Sequence, residues 1–416
     1  MKWLLGQFIL WFIYWPVLSI LKALLFVVPA VRQRLAFENK NFTEPGARSF
    51  KLDGLKADLC FEFSSEGEYQ QVASLIEDAL KDGKRLELVF FSPSVEKQIL
   101  ELYQKNPRLI RYLRYPVLGL SFSSWISAKT LILVRYDLFP EFLVWSLKTD
   151  HVMKFLWVTF KKERVTGTAP SFFKQAFLLS SKYTIFASEA DHELGKSLGF
   201  TGTIYDFRME QIKRRLEARQ EKFDKLFLNY PVLRQHFELY PRGKRLIVGN
   251  AWPVDMDLLT NVPADVLIVI VPHQLKQEVF QEMRTKLAST GRSMQMIEDG
   301  PINSPLGSTL LLNKKGVLCE LYSDFGKAYV GGGFGVSVHS LLEPLVAGSE
   351  AISCGPKHFR STEFDIAHSY GRAKEVRNAQ ELNRWLEEDI TDVQVHDRLK
   401  SQINSYAIYA KEVLSC

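Results

Sequence analysis

Four short stretches of the chain carry residues whose types and spacing suit chemistry. The first is Tyr329-Val330-Gly331-Gly332-Gly333, followed by His339, Ser340, Glu343 and Pro344. Glycines let a backbone approach a ligand closely, and a helix beginning near His339 would offer free N–H groups to a phosphate. Glu343 stands four residues after His339, on the same face of such a helix, where a carboxylate can accept both hydroxyls of a ribose. The second stretch is Ser64-Ser65-Glu66-Gly67-Glu68, at a strand-to-helix junction, where Glu68 is placed to act as a general base. Taken alone it is equally an acidic first turn that complements the helix dipole. The third is Arg135-Tyr136-Asp137-Leu138-Phe139-Pro140, which ends an apolar strand and offers Asp137 to the same site. The fourth is a pair of strand ends, Asn250-Ala251-Trp252 and Pro272-His273-Gln274, where Asn250 could line a nucleotide pocket and His273 could reach a phosphate. Each of these also fits an ordinary polar turn.

The elements that must position these residues alternate. Asp58 to Ser64, Arg85 to Phe91, Thr130 to Arg135, Phe155 to Phe160 and Tyr183 to Ala187 read as strands; Gly67 to Lys81, Val95 to Tyr103 and Phe139 to Leu147 read as helices. A basic helix from Met209 to Leu226 follows, most simply a solvated face. The alternation restarts after Tyr240-Pro241-Arg242-Gly243-Lys244, with strands at Arg245 to Val248, Val266 to Val271, Ser293 to Ile297, Ala328 to Val330 and Ala351 to Ser353. Helices fall at Gln274 to Leu287, His339 to Ala347, Ala379 to Glu388 and His396 to Val413. Strands alternating with helices argue for parallel sheets covered on both faces. At 416 residues the chain is long enough for two such domains. Two α/β halves facing a central crevice would bind a ligand at strand carboxyl ends.

The amino terminus bears on location. From Trp3 to Ile20 no side chain is charged, and Trp3, Trp11, Tyr14 and Trp15 are the aromatic types that favour membrane interfaces. A stretch of this length is just enough to span a hydrocarbon layer of ~30 Å, although an in-plane helix reads the same way. The expectation is a membrane anchor over residues 1–34. Arg32, Arg34 and Lys40 follow its apolar run, which ends at Val31, and by the positive-inside rule this leaves the bulk of the chain cytoplasmic. The net charge of +6 is too small to argue for nucleic-acid binding and suits an anionic membrane surface. Four scattered cysteines fit a reducing compartment, and no Cys/His spacing indicates a metal site or a cofactor.

Together these stretches resemble the Kdo transferases of lipopolysaccharide synthesis, which move 3-deoxy-D-manno-octulosonic acid (Kdo) from CMP-Kdo to a lipid A precursor. Ser65-Glu66-Gly67-Glu68 meets the family's S-x-G-E pattern, and Val330 to Pro344 with Gly355-Pro356 is similar to its glycine–histidine–glutamate–proline run. The resemblance implies the GT-B fold: an anchor, an acceptor-binding Rossmann-like domain over 50–239 and a nucleotide-sugar-binding one over 244–416. It implies an inverting, metal-independent glycosyltransferase of the inner membrane, with the catalytic domains facing the cytoplasm. Its implied catalytic residues are Glu68 and Asp137, and its implied donor-binding residues are Asn250, His273, Gly332, Gly333, His339, Ser340 and Glu343. CMP-Kdo, a lipid A precursor and the membrane are the implied partners. The chain departs from the family at Arg135, where the family has an acid, at Ser337, Val338 and Ser340, and at His273, where the family has arginine. An arginine-to-histidine change removes a permanent charge and a bidentate fork. The alternatives are a GT-B transferase for another nucleotide sugar, or a degenerate relative that binds a partner in envelope assembly.

Overall fold

The computed structural model describes residues 6, 8–48, 54–117, 122–135, 139–159, 181–197, 199–219, 226, 228–290, 292, 294–297, 309–335, 337–359, 361–388 and 393–415. It divides into two compact units, residues Met1–Arg208 with Ser405–Cys416, and Met209–Asn404.

The first unit is built on a parallel sheet in the order β3-β2-β1-β4-β5-β6-β7. Its strands are β1 (Leu59–Phe63), β2 (Leu86–Phe90), β3 (Ile110–Arg114), β4 (Thr130–Val134), β5 (Val152–Val158), β6 (Ser181–Phe186) and β7 (Thr203–Ile204). The first four are buried along their whole length, as a sheet covered on both faces requires. The second unit repeats the scheme in the order β10-β11-β9-β8-β12-β13-β14. Its strands are β8 (Arg245–Ala251), β9 (Leu267–Pro272), β10 (Met294–Met296), β11 (Thr309–Leu311), β12 (Lys327–Val330), β13 (Ala351–Cys354) and β14 (Ala373–Glu375). In each sheet the winding reverses beside the first strand, between β1 and β4 and between β8 and β12. Ligands of doubly wound sheets bind at the carboxyl ends of the strands beside such a reversal.

Several sequence expectations shift. The chain changes unit at Arg208/Met209, ahead of the Tyr240–Lys244 stretch, because Met209 and Ile212 are buried in the second unit's core with Leu341, Leu345 and Leu399. The expected helix from His396 to Val413 is two helices, Val393–Asn404 and Tyr406–Leu414. The second returns to the first unit, where Tyr406 donates to Asp78 at 2.7 Å and the Lys154 ammonium gathers the carbonyls of Glu412, Val413 and Ser415. β3 was not expected, since Arg111 and Arg114 interrupt its apolar pattern. Both are buried and paired, Arg111 with Glu87 and Arg114 with Glu44 and Glu96.

The amino-terminal segment is helical but broken. A π-helical turn at Leu10–Tyr14 leads into Trp15–Leu25, and a second helix starts at Pro29. No helix among the described residues is long and apolar enough to cross a membrane, and residues 1–5 and 7 of the expected anchor lie outside the described residues. The helix is interrupted at Phe26–Val28, where the chain turns before the proline. Phe8, Trp11, Phe12, Val17, Ile20, Leu24 and Val27 are all exposed. The Pro29–Asn39 helix is held to the carboxyl end of the first sheet. Arg34 donates to the carbonyls of Phe91 and Tyr115, which directly follow β2 and β3.

Candidate functional site

In the first unit, the strand-to-helix junction after β1 places Glu68 in the first turn of the Glu66–Lys81 helix. Its carboxylate is buried. Oε2 accepts the Ser64 backbone N–H at 2.6 Å, and Oε1 accepts from Arg135 Nη1 at 3.3 Å. Arg135 follows β4, directly across the reversal of the sheet. Its guanidinium lies 4.4 Å from the ring centre of Trp157, on β5. Arg135 and Trp157 both hold left-handed backbone conformations, φ 64° and 55°, which side chains with a Cβ rarely adopt. Such strain collects where a site over-determines the backbone. Asp137 lies outside the described residues.

In the second unit the residues converge at the other reversal. Asn250, near the end of β8, is also left-handed at φ 51°, within an irregularity in the pairing of β8 with β9. His273 leaves β9 with its N–H bonded to the Ala251 carbonyl at 3.0 Å. The loop after β12 needs its glycines. Gly332 has φ 95°, and a Cβ there would strike the Ser337 carbonyl; one on Gly333 would come within 2.6 Å of the Gly355 backbone. This close fold-back brings His339 over His273, with ring centres 4.3 Å apart, and Trp252 stacks on His273 at 4.8 Å. Burial pushes the pKa of both imidazoles down, and for His339 the neighbouring His273 adds to the shift. Asp255 ties the parts together. Its carboxylate accepts the Trp252 N–H at 2.8 Å, the Tyr329 hydroxyl at 2.9 Å and the Gly332 N–H at 3.4 Å, and burial raises its pKa. Asn250, His273, Gly332, Gly333 and His339 thus lie around one place, joined by Trp252 and Asp255.

Ser340 and Glu343 are engaged differently from the sequence expectation. The helix begins at Leu342, not at His339, and runs only to Val346. Its opening N–H groups are already occupied: Glu363 Oε2 accepts from Ser340 Oγ at 2.9 Å, Leu341 N–H at 2.8 Å and Leu342 N–H at 3.1 Å. A buried carboxylate therefore fills the position expected for phosphate. Glu343 accepts from Arg215 Nη1 at 3.1 Å, and its pKa is raised because desolvation outweighs the pairing with Arg215. Arg215 also reaches Glu320 at 3.4 Å, and Arg219 reaches Asp324 at 3.3 Å. The basic helix, Arg208–Glu217 where described, is thus docked on acids of the second unit rather than simply solvated. Glu363, Trp157 and Arg215 carried no sequence signal, since their roles come from partners distant in the chain. Among the described residues, one group with metal-ligand chemistry, Glu189, His192 and Glu193, lies on a separate helix outside these junctions.

No protein-family model matches the chain, and no curated protein sequence matches it. Solved structures do. A UDP-N-acetylglucosamine 2-epimerase is similar with a TM-score of 0.52 and 9% identity, over 86% of this chain and 95% of its own. MurG from Acinetobacter baumannii is similar with a TM-score of 0.50 and 11% identity, over 86% of this chain and 99% of its own. The C-terminal CMP-Kdo binding domain of WaaA from the same organism matches at 17% identity and a TM-score of 0.33, over 48% of this chain and 100% of that domain. The fold assignment rests on the first two: the chain has the GT-B fold, two parallel Rossmann-like sheets of seven strands each.

Proposed function

We propose that this protein is a glycosyltransferase that moves Kdo from CMP-Kdo to a lipid A precursor, by inverting, metal-independent transfer at the cytoplasmic face of the inner membrane. One observation carries the reading. Each sheet holds its chemistry-bearing residues at its own reversal: Glu68 beside β1, and the Gly332–Gly333 loop with His273 and His339 beside β8 and β12. The donor's phosphate would sit against the glycine loop and the two imidazoles. Glu68 would take the proton of the acceptor hydroxyl, that oxygen would bond to the anomeric carbon, and CMP would leave with the electron pair.

The lipid acceptor is supported by the amino-terminal segment. Its exposed aromatic and aliphatic side chains suit contact with a lipid surface. Arg34 fastens the following helix to the carboxyl end of the first sheet, the end that bears Glu68. An acceptor held in the bilayer would then approach Glu68 from the anchored side. CMP, UDP and GDP compared by calorimetry test the donor: CMP binding tightest supports the reading, and preferential UDP or GDP binding favours a transferase for another nucleotide sugar. The Glu68–Arg135 pair favours a second reading, a degenerate relative whose would-be base is held in an ion pair and which serves as a binding protein in envelope assembly. Absence of both CMP binding and transfer would decide for it.

A further inference from the structure

We propose that Trp252, His273 and His339 act as one phosphate clamp, in which binding of a nucleotide phosphate places a single proton on the stacked imidazole pair. This rests on the nucleotide-sugar reading and goes beyond it in assigning how the phosphate charge is met. The three rings form a continuous stack, Trp252 on His273 at 4.8 Å and His273 on His339 at 4.3 Å. They come from three separate segments: the end of β8, the end of β9 and the loop after β12. Nothing in the strand geometry alone requires such a meeting. The His273 N–H bond to Ala251 and the fold-back at Gly332 bring it about.

Two imidazoles face to face cannot both be charged cheaply, so they titrate as a pair and not as two independent groups. Both are pushed towards the neutral form, by burial first and for His339 also by His273. Charged groups on the neighbouring segments are engaged elsewhere. Asp255 is committed to the Trp252 and Gly332 N–H groups and the Tyr329 hydroxyl. Lys357 donates its ammonium to the Gly335 carbonyl at 2.6 Å, and Glu363 caps Leu341 and Leu342. A phosphate arriving beside the stack supplies the negative charge that makes one imidazolium favourable. The indole on the outer face of His273 favours placing the proton there, by cation–π attraction. Phosphate is thus bound with a titratable charge, where an arginine would supply a permanent one.

The test joins histidine NMR titration of the full chain with calorimetry. Wild type and His273→Phe, which keeps a ring in the stack, are titrated without ligand. CMP, cytidine and inorganic phosphate are then bound to wild type at about pH 7.5, in two buffers of different ionisation enthalpy. The clamp predicts coupled titration in wild type and a raised His339 pKa in His273→Phe. It also predicts uptake of about one proton per CMP or phosphate bound, with none for cytidine. Independent titration of the two histidines, with His339 unmoved in His273→Phe, overturns the clamp. So does CMP binding without proton uptake, which leaves the nucleotide reading intact. Proton-linked binding of inorganic phosphate without CMP binding retains the clamp and removes the nucleotide reading. Failure of both ligands to bind overturns both.

Discussion

Glu363→Ala probes the most consequential difference between the expected and the observed loop. Glu363 Oε2 accepts three hydrogen bonds, from Ser340 Oγ and from the Leu341 and Leu342 N–H groups, at 2.8–3.1 Å. Removing a buried carboxyl acceptor costs about 1.5–3 kcal/mol for a single such bond, and loss of a helix cap costs about 1 kcal/mol. The three bonds share one oxygen and are not additive, so the combined loss is set at about 3 kcal/mol. That corresponds to local opening about 150-fold more frequent. Amide hydrogen exchange at Leu341 and Leu342 reads this directly and does not depend on the whole chain unfolding in one step. Glu363→Gln, which keeps an oxygen but loses the charge, falls in between at about 1 kcal/mol. Unchanged exchange at both amides in Glu363→Ala would refute the capping role. Strong protection of these amides by CMP in that variant alone would mean that Glu363 and phosphate compete for one position.

Other consequences follow from the same geometry. Glu87 is fully buried and bonded to Arg111, to the Ser127 hydroxyl and N–H and to the Ala128 N–H; Glu87→Ala removes the carboxylate paired with buried Arg111 and should destabilise the first unit by about 3–5 kcal/mol in denaturant unfolding. Hydrogen bonding from His358 at 2.7 Å, then from Arg377, lowers the Glu375 pKa below its ordinary 4.5. With its folded value depressed, this carboxylate contributes stability that is present above pH 4.5 and lost as pH falls through the folded pKa. Carbon NMR of Glu375 should therefore titrate below 4.5, and His358→Gln should bring it upward. Arg135→Ala removes the ion pair on Glu68 at 3.3 Å; transfer activity should rise if Arg135 only restrains the base, whereas a loss would make Arg135 a contributor to acceptor binding.

Much of the fold was readable because buried parallel strands are rich in apolar residues. β1, β4, β8, β9, β12 and β13 all stand out in the sequence for this reason. β3 did not, because Ile110-Arg111-Tyr112-Leu113-Arg114 looks like a surface segment until its partners Glu87, Glu44 and Glu96 are brought beside it. The break at Ser405 was equally hidden, since the helical pattern continues across it while the chain passes from one unit to the other. At the site, glycine spacing marked the tight loop after β12, and residue type marked His273 and His339. Their stacking on Trp252 depends on backbone turns that no spacing encodes. The expectation for Ser340 and Glu343 assumed a helix from His339, and Glu363, some twenty residues on, decides where that helix starts.

Mass spectrometry of the acceptor reads sugar transfer without an intermediate step. A lipid A precursor is incubated with the full chain and CMP-Kdo, in parallel with the Glu68→Ala variant. The native chain should give a product heavier by one or more Kdo residues, and Glu68→Ala should not. An unchanged acceptor mass with the native chain would contradict Kdo transfer, and equal turnover by Glu68→Ala would contradict the role of Glu68 as base.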